Sequence, residues 1–318
     1  MLFEDMHNIA VLGTGTMAPG IALLCAQSGY SVSMWGRTET SLDRGFNHLK
    51  SNLQTLRENG LVADGDVEDI LSRVKGTTSL EEAAHQADFV IESIVEDLSL
   101  KKAIFADLDR ICRGNAILAT NTSGLGVTAI ASVTSRPERV IATHFWNPPY
   151  LIPLVEIAGG DRTSPETVKT ATELMRRIGK TPVLVRKEVP GFIGNRLQFA
   201  LLREALYIVE QGIASIEDVD TAVKMSFGRR LPVTGPLETA DLGGLDVFLA
   251  VSEHLMKDLC NSGQPSQLLR DAVSNGCLGA KTGKGLYQRS SESTRQIVKA
   301  RERLLLEFLK QDKAKGAS

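Results

Sequence analysis

The stretch that decides the fold is Asn8–Ala18, whose sequence is NIAVLGTGTMA. Its first five residues form an apolar run typical of a buried strand, and the helical pattern Met17–Ser28 ends at Gly29. In such a strand–turn–helix segment, the first glycine permits a tight turn and the second lets backbone approach a pyrophosphate. The helix N-terminus adds free N–H groups and a positive dipole end. A dinucleotide-binding turn is therefore predicted at Gly13, Thr14, Gly15, Thr16, Met17 and Ala18.

The end of the second strand candidate bears on which dinucleotide binds. That strand, Ser31–Trp35, is followed by Gly36, Arg37 and Thr38, and no carboxylate comes before Glu39. NAD enzymes usually place Asp or Glu here to accept hydrogen bonds from the ribose 2′-hydroxyl. A carboxylate would repel a 2′-phosphate, whereas Arg37 would attract one and Thr38 could add a hydroxyl. The pattern favours NADP over NAD, the alternative being an arginine that stacks on adenine or points to solvent.

Short apolar runs alternate with helical patterns through residues 1–187. Near-continuous apolar strands separated by helices are typical of a parallel sheet covered on both faces. We therefore predict an α/β fold, in which an N-terminal Rossmann-type, doubly wound, mostly parallel sheet is followed by an all-α C-terminal domain. Thr40–Asn59 is predicted to be helical. The further strand candidates are Phe89–Glu92, Ala116–Ala119, Val140–Thr143 and Val183–Val185.

The pattern changes at Glu188–Gly191, after which strand-like runs vanish. Leu197–Glu210 carries apolar residues at helical spacing, and Leu237–Leu259 is mostly helical in pattern. The charged stretch Glu292–Lys315 is typical of one amphipathic helix with a frayed end. The predicted division is a dinucleotide-binding domain over 1–187, an all-α substrate and dimerisation domain over 188–290, and a charged helical tail over 291–318.

Composition excludes several classes of protein. Lys plus Arg number 36 and Asp plus Glu 38, so the net charge is −2 and no broad basic surface for nucleic acid is expected. The longest apolar stretches are too short for a transmembrane helix, and the acidic start is unlike a signal peptide. The cysteines are far apart, which indicates neither a disulfide framework nor a metal site and fits a reducing cytoplasm. They are Cys25, Cys112, Cys260 and Cys277.

Further motifs follow the glycine-rich turn in a fixed order. They are Val90–Asp97 (VIESIVED), Asn121–Ser123 (NTS), His144–Pro148 (HFWNP), Pro190–Arg196 (PGFIGNR), Gly235–Glu238 (GPLE) and Lys281–Gly285 (KTGKG). Together they resemble the L-3-hydroxyacyl-CoA dehydrogenase family, which includes bacterial 3-hydroxybutyryl-CoA dehydrogenases. The resemblance covers roughly residues 7 to 290 and is more specific for the superfamily than for the substrate.

The resemblance implies an acid–base site of four residues. His144 matches the catalytic histidine, which takes the proton of the substrate hydroxyl as hydride leaves carbon for the nicotinamide. Glu156 matches the carboxylate that hydrogen-bonds the other imidazole nitrogen, fixes its tautomer and stabilises the imidazolium. Ser123 would hydrogen-bond the substrate oxygen. Asn195 would reach in from the second domain, which places the cleft at the domain junction.

The same resemblance matches cofactor contacts to Glu96, Lys101, Ser123, Asn147 and Lys281. Each position has a structural alternative when it is taken alone. Glu96 and Lys101 could form a surface helix pair, Asn147 before a proline could start a turn, and Lys281 in a Gly-rich loop could be solvated. Their order along the chain is what favours the functional interpretation.

The sequence also departs from the family pattern. Gly36 stands where the family has Asp, and Gly124 stands where a second serine often follows the catalytic one. The CoA-contacting Ser and Lys of the family fall on Leu49 and Leu56, which leaves few cations for the phosphates of CoA. The cations near enough to substitute are Lys50 and Arg57.

A pair of arginines points to a different substrate. The resemblance places Arg229 and Arg230 near the substrate cleft, where they could clamp a free carboxylate bidentately. The alternative is a solvated loop pair.

The expected function is that of a cytoplasmic NAD(P)-dependent oxidoreductase. Its favoured substrate is the 3-hydroxy or 3-oxo carbon of an L-3-hydroxyacyl-CoA, as in fatty acid metabolism. The alternatives are a dehydrogenase of a small non-CoA hydroxy carboxylate and a non-catalytic dinucleotide-binding protein. We also expect a homodimer, since family members pair through the second domain and two-fold dimers are the commonest assembly. Apolar helical positions there include Leu197, Leu201, Leu202 and Leu206.

Overall fold

The computed structural model describes residues 3–316. Two compact units divide the chain. The first contains residues up to Asn195 together with the chain from Arg301, and the second is Arg196–Ala300.

The first unit is built on one sheet of eight strands in the order β3-β2-β1-β4-β5-β6-β7-β8. Its first six positions have the strand order of a doubly wound dinucleotide-binding sheet, which reverses direction between β1 and β4. Neighbouring strands pair in parallel except β6 and β7, which are antiparallel. The strands are β1 Asn8–Leu12, β2 Ser31–Trp35, β3 Val74–Thr77, β4 Phe89–Glu92, β5 Ile117–Thr120, β6 Val140–Phe145, β7 Leu154–Gly159 and β8 Thr181–Val185.

Helices follow most of these strands. Short 3₁₀ helices lie at Phe3–Asp5, Asp64–Asp66, Pro137–Arg139 and Phe227–Arg229. The α-helices of the first unit are α1 Ala18–Gln27, α2 Glu39–Glu58, α3 Val67–Ser72, α4 Leu80–Ala84, α5 Leu98–Ile111, α6 Val127–Ala131 and α7 Pro165–Arg177. The helices that follow are α8 Gly194–Glu210, α9 Ile216–Met225, α10 Pro236–Gly243, α11 Leu245–Leu255, α12 Gln267–Ser274 and α13 Ser291–Gly316.

The central strands are buried along their whole length. Every residue of β4, β5 and β6 is buried, as are four of the five residues of β1. Apolar side chains on both faces of a strand remove both from water, which explains why these segments are continuous apolar runs. The predicted fold class is therefore confirmed: a mostly parallel Rossmann-type sheet precedes a helical region, and the described chain after residue 191 contains only isolated β-bridges.

Two strands, β3 and β7, are not among those predicted from the sequence pattern. β3 has only Val74 buried, since it lies at the sheet edge. β7 carries Glu156 among its apolar residues, and an apolar run interrupted by a buried carboxylate does not resemble a strand in the sequence. Both are positioned by pairing with neighbours rather than by their own composition.

The chain after residue 290 does not form a separate tail. α13 begins in the second unit, and from Arg301 onward it belongs to the first. Leu306 is 5% exposed and lies in the core cluster that also contains Leu49, Leu53 and Leu56 of α2. Glu302 accepts a hydrogen bond from the Tyr150 hydroxyl at 2.9 Å, and Lys313 donates to the backbone oxygen of Leu61 at 3.2 Å. α13 extends to Gly316, past Lys315 where the predicted helix ends, and residues 317 and 318 lie outside the described residues.

The second unit leaves much apolar surface in water. Within residues 196–300, Leu206 is the only hydrophobic residue that is buried. Leu197 and Leu201, predicted interface positions, are 58% and 44% exposed. No helix of residues 3–316 is long and apolar enough to cross a membrane.

Candidate active site

The glycine-rich turn joins the end of β1 to the start of α1. Gly13 has φ +122°, and a Cβ atom there would lie 2.5 Å from the backbone oxygen of Ser93, so only glycine fits. A Cβ at Gly15 would meet no atom within 4 Å, and both Gly15 and Thr16 are exposed. α1 has Met17 as its N-cap without a side-chain cap hydrogen bond. Open backbone next to an uncapped helix N-terminus fits the pyrophosphate of a dinucleotide.

The end of β2 has a packing reason for its missing carboxylate. A Cβ at Gly36 would lie 2.8 Å from Ser41 Oγ and 2.9 Å from Thr14 Cγ2, so a side chain fits there only if these neighbours shift. Arg37 is exposed, and its side chain forms no hydrogen bond or ion pair with any described residue. The Thr38 oxygen caps α2 by accepting from Ser41 N at 3.2 Å, so this hydroxyl is already engaged. Arg37 is therefore the group here that is free to meet a cofactor phosphate.

His144 and Glu156 face each other across the antiparallel pair β6 and β7, where their Cα atoms are register partners. His144 Nδ1 lies 2.8 Å from Glu156 Oε2, and both residues are buried. An Nδ1–H that donates to the carboxylate leaves Nε2 with a lone pair. Nε2 forms no hydrogen bond within residues 3–316, so it is available to a ligand.

Glu156 accepts three hydrogen bonds besides the one from His144. Oε1 accepts from the backbone N–H groups of Ile193 at 2.8 Å and Gly194 at 2.9 Å, and Oε2 accepts from Trp146 Nε1 at 3.2 Å. Burial alone would raise the pKa of Glu156, but the hydrogen bonds from His144 and these donors outweigh it and lower the pKa to about 2. The carboxylate therefore stays ionised at any pH near neutral.

A strained turn supplies two of those donors. Phe192 has φ 45°, which non-glycine residues rarely adopt, and it directly follows Gly191 with φ 77°. Phe192 is 2% exposed, and its ring centroid lies 5.8 Å from that of His144. The turn thus covers the imidazole with an aromatic ring and aims the next two N–H groups at Glu156.

Ser123 lies at the end of β5 beside a buried charge cluster. Glu96 Oε1 accepts from Ser123 N at 3.0 Å and from Ser123 Oγ at 3.4 Å. Lys101, 1% exposed, lies 2.7 Å from Glu92 Oε1 and 3.3 Å from Glu96 Oε2. Burial alone would raise the pKa of Glu96. The hydrogen bond from the Thr122 hydroxyl and the charge of Lys101 outweigh this effect, so the pKa of Glu96 is lowered. Because Lys101 is buried, a cofactor bound here would contact Glu96, and Lys101 would act on the cofactor only by pairing with Glu96.

Asn195 lies close to Ser123. Its Nδ2 is 3.4 Å from the Ser123 backbone oxygen. By packing, the residue groups with the first unit, in the first turn of α8. The structure thus gathers His144, Glu156, Ser123 and Asn195 within one unit.

The other predicted positions are exposed. Asn147 follows β6 in the first unit. Arg229, Arg230 and Lys281 lie in the second unit, and their side chains form no hydrogen bond or ion pair with described residues. No group of three or more metal-ligating side chains occurs within residues 3–316.

Both halves of the chain match known family domains. The NAD-binding domain of 3-hydroxyacyl-CoA dehydrogenase matches residues 8–189, and the C-terminal domain of the same enzyme matches residues 191–289. The chain belongs to the 3-hydroxyacyl-CoA dehydrogenase family. It is accordingly an oxidoreductase with a nicotinamide dinucleotide cofactor, and the open turn at Gly13–Ala18 fits that group.

Relatives within the family act on different substrates. A Mesorhizobium japonicum protein named 5-formyl-3-hydroxy-2-methylpyridine 4-carboxylate 5-dehydrogenase is 35% identical, over 95% of this chain and 96% of its own. A probable 3-hydroxybutyryl-CoA dehydrogenase of Bacillus subtilis is 40% identical, over 89% of this chain and 97% of its own. A crystal structure of the pyridine carboxylate enzyme, described as an NAD⁺-dependent dismutase, is 34% identical with a TM-score of 0.90. The match covers 97% of this chain and 99% of the chain in that structure.

Three supporting residues of this site were missed by sequence reasoning. Trp146 and Phe192 lie inside the motifs that carry the family resemblance, but the sequence predicted no role for either side chain. Glu92 is fully buried and accepts from Lys101 Nζ, Thr120 Oγ1 at 2.6 Å and the backbone N–H of Ile94 at 2.8 Å. A carboxylate at the end of an otherwise apolar strand was the available signal, since such a group must have buried partners.

Proposed function

We propose that the protein is an NAD(P)-dependent dehydrogenase in which His144 is the general base for a substrate hydroxyl. The observation that carries this proposal is the one-sided engagement of His144. Nδ1 is held by an ionised carboxylate, and Nε2 has no partner among the described residues. Such an imidazole accepts a proton at Nε2 while the carboxylate stabilises the positive charge that forms.

The remaining residues orient the substrate and hold the cofactor. The nicotinamide, when bound, accepts or donates the hydride. In the oxidation direction His144 Nε2 accepts the hydroxyl proton, and in reduction it returns that proton to the carbonyl oxygen. Ser123 supplies a hydroxyl and Asn195 an amide for the same oxygen, and the two residues lie close together because Asn195 Nδ2 donates to the Ser123 backbone oxygen at 3.4 Å. The buried Lys101 keeps Glu96 ionised beside Ser123.

For the cofactor we propose a preference for NADP. Arg37 is exposed and unpaired among the described residues, so its guanidinium can meet a 2′-phosphate without breaking an existing contact. Gly36 has no carboxylate to repel this phosphate. One solved relative is described as NAD⁺-dependent, which makes the preference a point to measure.

For the substrate we propose a small molecule that bears a free carboxylate, which reverses the order favoured by sequence alone. Leu49 and Leu56, matched to CoA contacts, are 0% and 3% exposed. They belong to the core cluster that also contains Leu306 of α13, so these two positions face the interior of the protein rather than a ligand. α13 lies beyond the residues matched by the family domains, whereas the pyridine carboxylate enzyme covers 97% of the chain.

Two further features agree with a compact acidic substrate. A Cβ at Gly124 would meet no atom within 4 Å, so this position next to Ser123 leaves open space. Arg229 and Arg230 are exposed without a carboxylate partner in the described chain, and an arginine pair of this kind binds carboxylates well.

A CoA thioester remains the second candidate. The specific observation in its favour is a cavity of about 130 Å³ between α2 and α3, where two cations could meet phosphate groups. Its lining residues are Lys50, Leu53, Gln54, Arg57, Val67 and Leu71. The 40% identity with proteins named as 3-hydroxybutyryl-CoA dehydrogenases also supports a CoA thioester as the substrate.

The deciding experiment compares kcat/KM for acetoacetyl-CoA with kcat/KM for a panel of small hydroxy and oxo carboxylates. Both NADH and NADPH are used, for the wild type and for the Arg229→Ala, Arg230→Ala double variant. A carboxylate clamped by the pair predicts a loss of about 10- to 100-fold on the small substrate, the worth of a charged hydrogen bond. Efficient reduction of acetoacetyl-CoA that persists in the double variant would favour CoA instead. Cofactor binding without any turnover would favour a non-catalytic protein.

We also propose a homodimer formed through the second unit. Support comes from the apolar side chains left exposed there, since monomers rarely expose large contiguous apolar patches. Leu237 is 84% exposed, Leu242 77% and Leu245 62%. The cytoplasm remains our proposed location. It is supported by four free cysteines, whose thiols persist in a reducing compartment.

A further inference from the structure

The segment 147–153 joins the strand that carries His144 to the strand that carries Glu156. It begins with Asn147, a predicted cofactor contact. Lys180, which precedes β8, is 7% exposed and reaches this segment with its side chain. Its Nζ donates to the backbone oxygens of Pro149 and Ile152, the latter at 2.9 Å.

Lys180 is costly to bury, and no mechanistic step uses it. It forms no ion pair with any carboxylate of residues 3–316, and burial lowers its pKa to about 7. Cys25, which interacts electrostatically with Lys180, has a pKa raised by burial to about 12 and stays neutral. An apolar side chain of similar length would be easier to bury than Lys180. The hydrogen bonds that its ammonium donates to the two backbone oxygens therefore explain why a lysine stands here.

The two carbonyl oxygens depend on this lysine. No other donor among the described residues reaches Pro149 O or Ile152 O. Without the ammonium both oxygens would lack partners, and segments with buried unsatisfied carbonyls rearrange to find water or another donor.

The same segment is pressed against the helix that starts at the glycine-rich turn. A Cβ at Gly20 of α1 would lie 2.6 Å from Pro149 Cγ. Its next residue, Tyr150, donates to Glu302 of α13. A shift of Pro149 or Ile152 would therefore move Asn147 relative to the cofactor turn.

We propose that Lys180 is a positioning residue, which holds the 147–153 segment against α1 at Pro149 and thereby fixes Asn147, two residues earlier, relative to the dinucleotide-binding turn. The proposal rests on the proposed dehydrogenase function through Asn147 alone. It assigns Lys180 no contact with substrate or cofactor.

The test compares Lys180→Met with Lys313→Met in the full chain. Lys313 is a matched control, because it also donates to a backbone oxygen and burial also lowers its pKa, but it belongs to α13 and its acceptor, Leu61, follows α2. The dissociation constants of NADH and NADPH are measured by nicotinamide fluorescence titration, together with KM and kcat. We expect the Lys180→Met cofactor Kd and KM to rise about tenfold, Lys313→Met to match the wild type, and Lys180→Arg to recover at least part of the loss.

A purely structural role would lower thermal stability and the active fraction but leave the cofactor Kd of the folded protein unchanged. Wild-type cofactor Kd and KM in folded Lys180→Met would overturn the proposal. If that variant does not fold, Lys180→Gln takes its place: its amide reaches fewer acceptors, so an unchanged cofactor Kd would overturn the proposal equally. Fluorescence titration needs no turnover, so an inactive wild type that binds cofactor would refute the proposed function while Lys180 remains testable.

Discussion

Replacing Glu156 with Gln removes a charge while leaving the shape of the side chain. In the wild type both carboxylate oxygens are pure acceptors: Oε1 for Ile193 N and Gly194 N, Oε2 for His144 Nδ1 and Trp146 Nε1. An amide offers one accepting oxygen and one donating NH₂ group. If the oxygen stays with the two backbone N–H groups, the NH₂ group must face His144.

That arrangement inverts the tautomer of the imidazole. A donor opposite Nδ1 favours the form in which Nδ1 accepts and Nε2 carries the proton. Nε2 could then no longer take a proton from substrate, and no negative charge would stabilise the imidazolium. The same substitution logic in the serine protease triad costs about 10⁴-fold in kcat, so we expect a loss of roughly 10³- to 10⁴-fold.

The assay is steady-state turnover of Glu156→Gln on the best substrate, alongside the Kd of the cofactor by fluorescence. Cofactor Kd should stay within a factor of about two, since none of the lost charge lies at the cofactor turn. Trp146→Phe is the matched control, because it removes one neutral donor at 3.2 Å and keeps the charge. Glu156→Gln turnover within tenfold of the wild type would refute the tautomer argument.

Acid titration checks the same group through stability. The pKa of Glu156 is lowered from 4.5 to about 2 in the folded protein, so it favours folding above its unfolded pKa. This contribution, about 3 kcal/mol at neutral pH for a fully buried carboxylate, is lost as the pH falls from about 5 towards 2. Urea unfolding of Glu156→Gln should therefore depend less on pH in that window than the wild type does. Equal pH dependence in the two proteins would contradict the lowered pKa.

Three further outcomes follow from the same structure. His144→Gln should keep cofactor binding and lose roughly 10²- to 10⁴-fold in turnover, the usual worth of a positioned base, and near-normal turnover would exclude it as the base. Arg37→Ala should weaken NADPH about 10- to 100-fold and spare NADH, and equal losses for both would contradict the phosphate contact. Light scattering at micromolar concentration should give twice the chain mass of 34.4 kDa, whereas a monomer mass would count against the dimer.

The sequence predicted well wherever a local pattern and its physical cause coincide. The turn at Gly13 is one such case, because the tight turn, the positive φ and the close approach of Ser93 all demand glycine at that position. The pairing of His144 with Glu156 needed more. It rests on β7 running antiparallel to β6, and the sequence implied this only through the spacing that the resemblance brought.

What the sequence missed depends on contacts between distant segments. Leu49 and Leu56 match ligand-contact positions of the family, but they are buried in a core cluster that also contains Leu306, some 250 residues further on. Asn195 packs with the first unit although the matched C-terminal family domain begins at residue 191, because the motif around it straddles the boundary. Neither fact has a signature within a window of neighbouring residues.

The contribution of α13 to the first unit affects how the protein folds during synthesis. The chain up to Asn195 is complete about 105 residues before Arg301 is added. At the usual elongation rate of about 5–20 residues per second, the sheet waits roughly 5–20 s for the segment that carries Leu306. During that interval the core cluster that contains Leu49, Leu53 and Leu56 of α2 lacks Leu306. The nascent domain would then be most open to chaperones at this cluster, and a truncation before Arg301 would make the temporary exposure permanent.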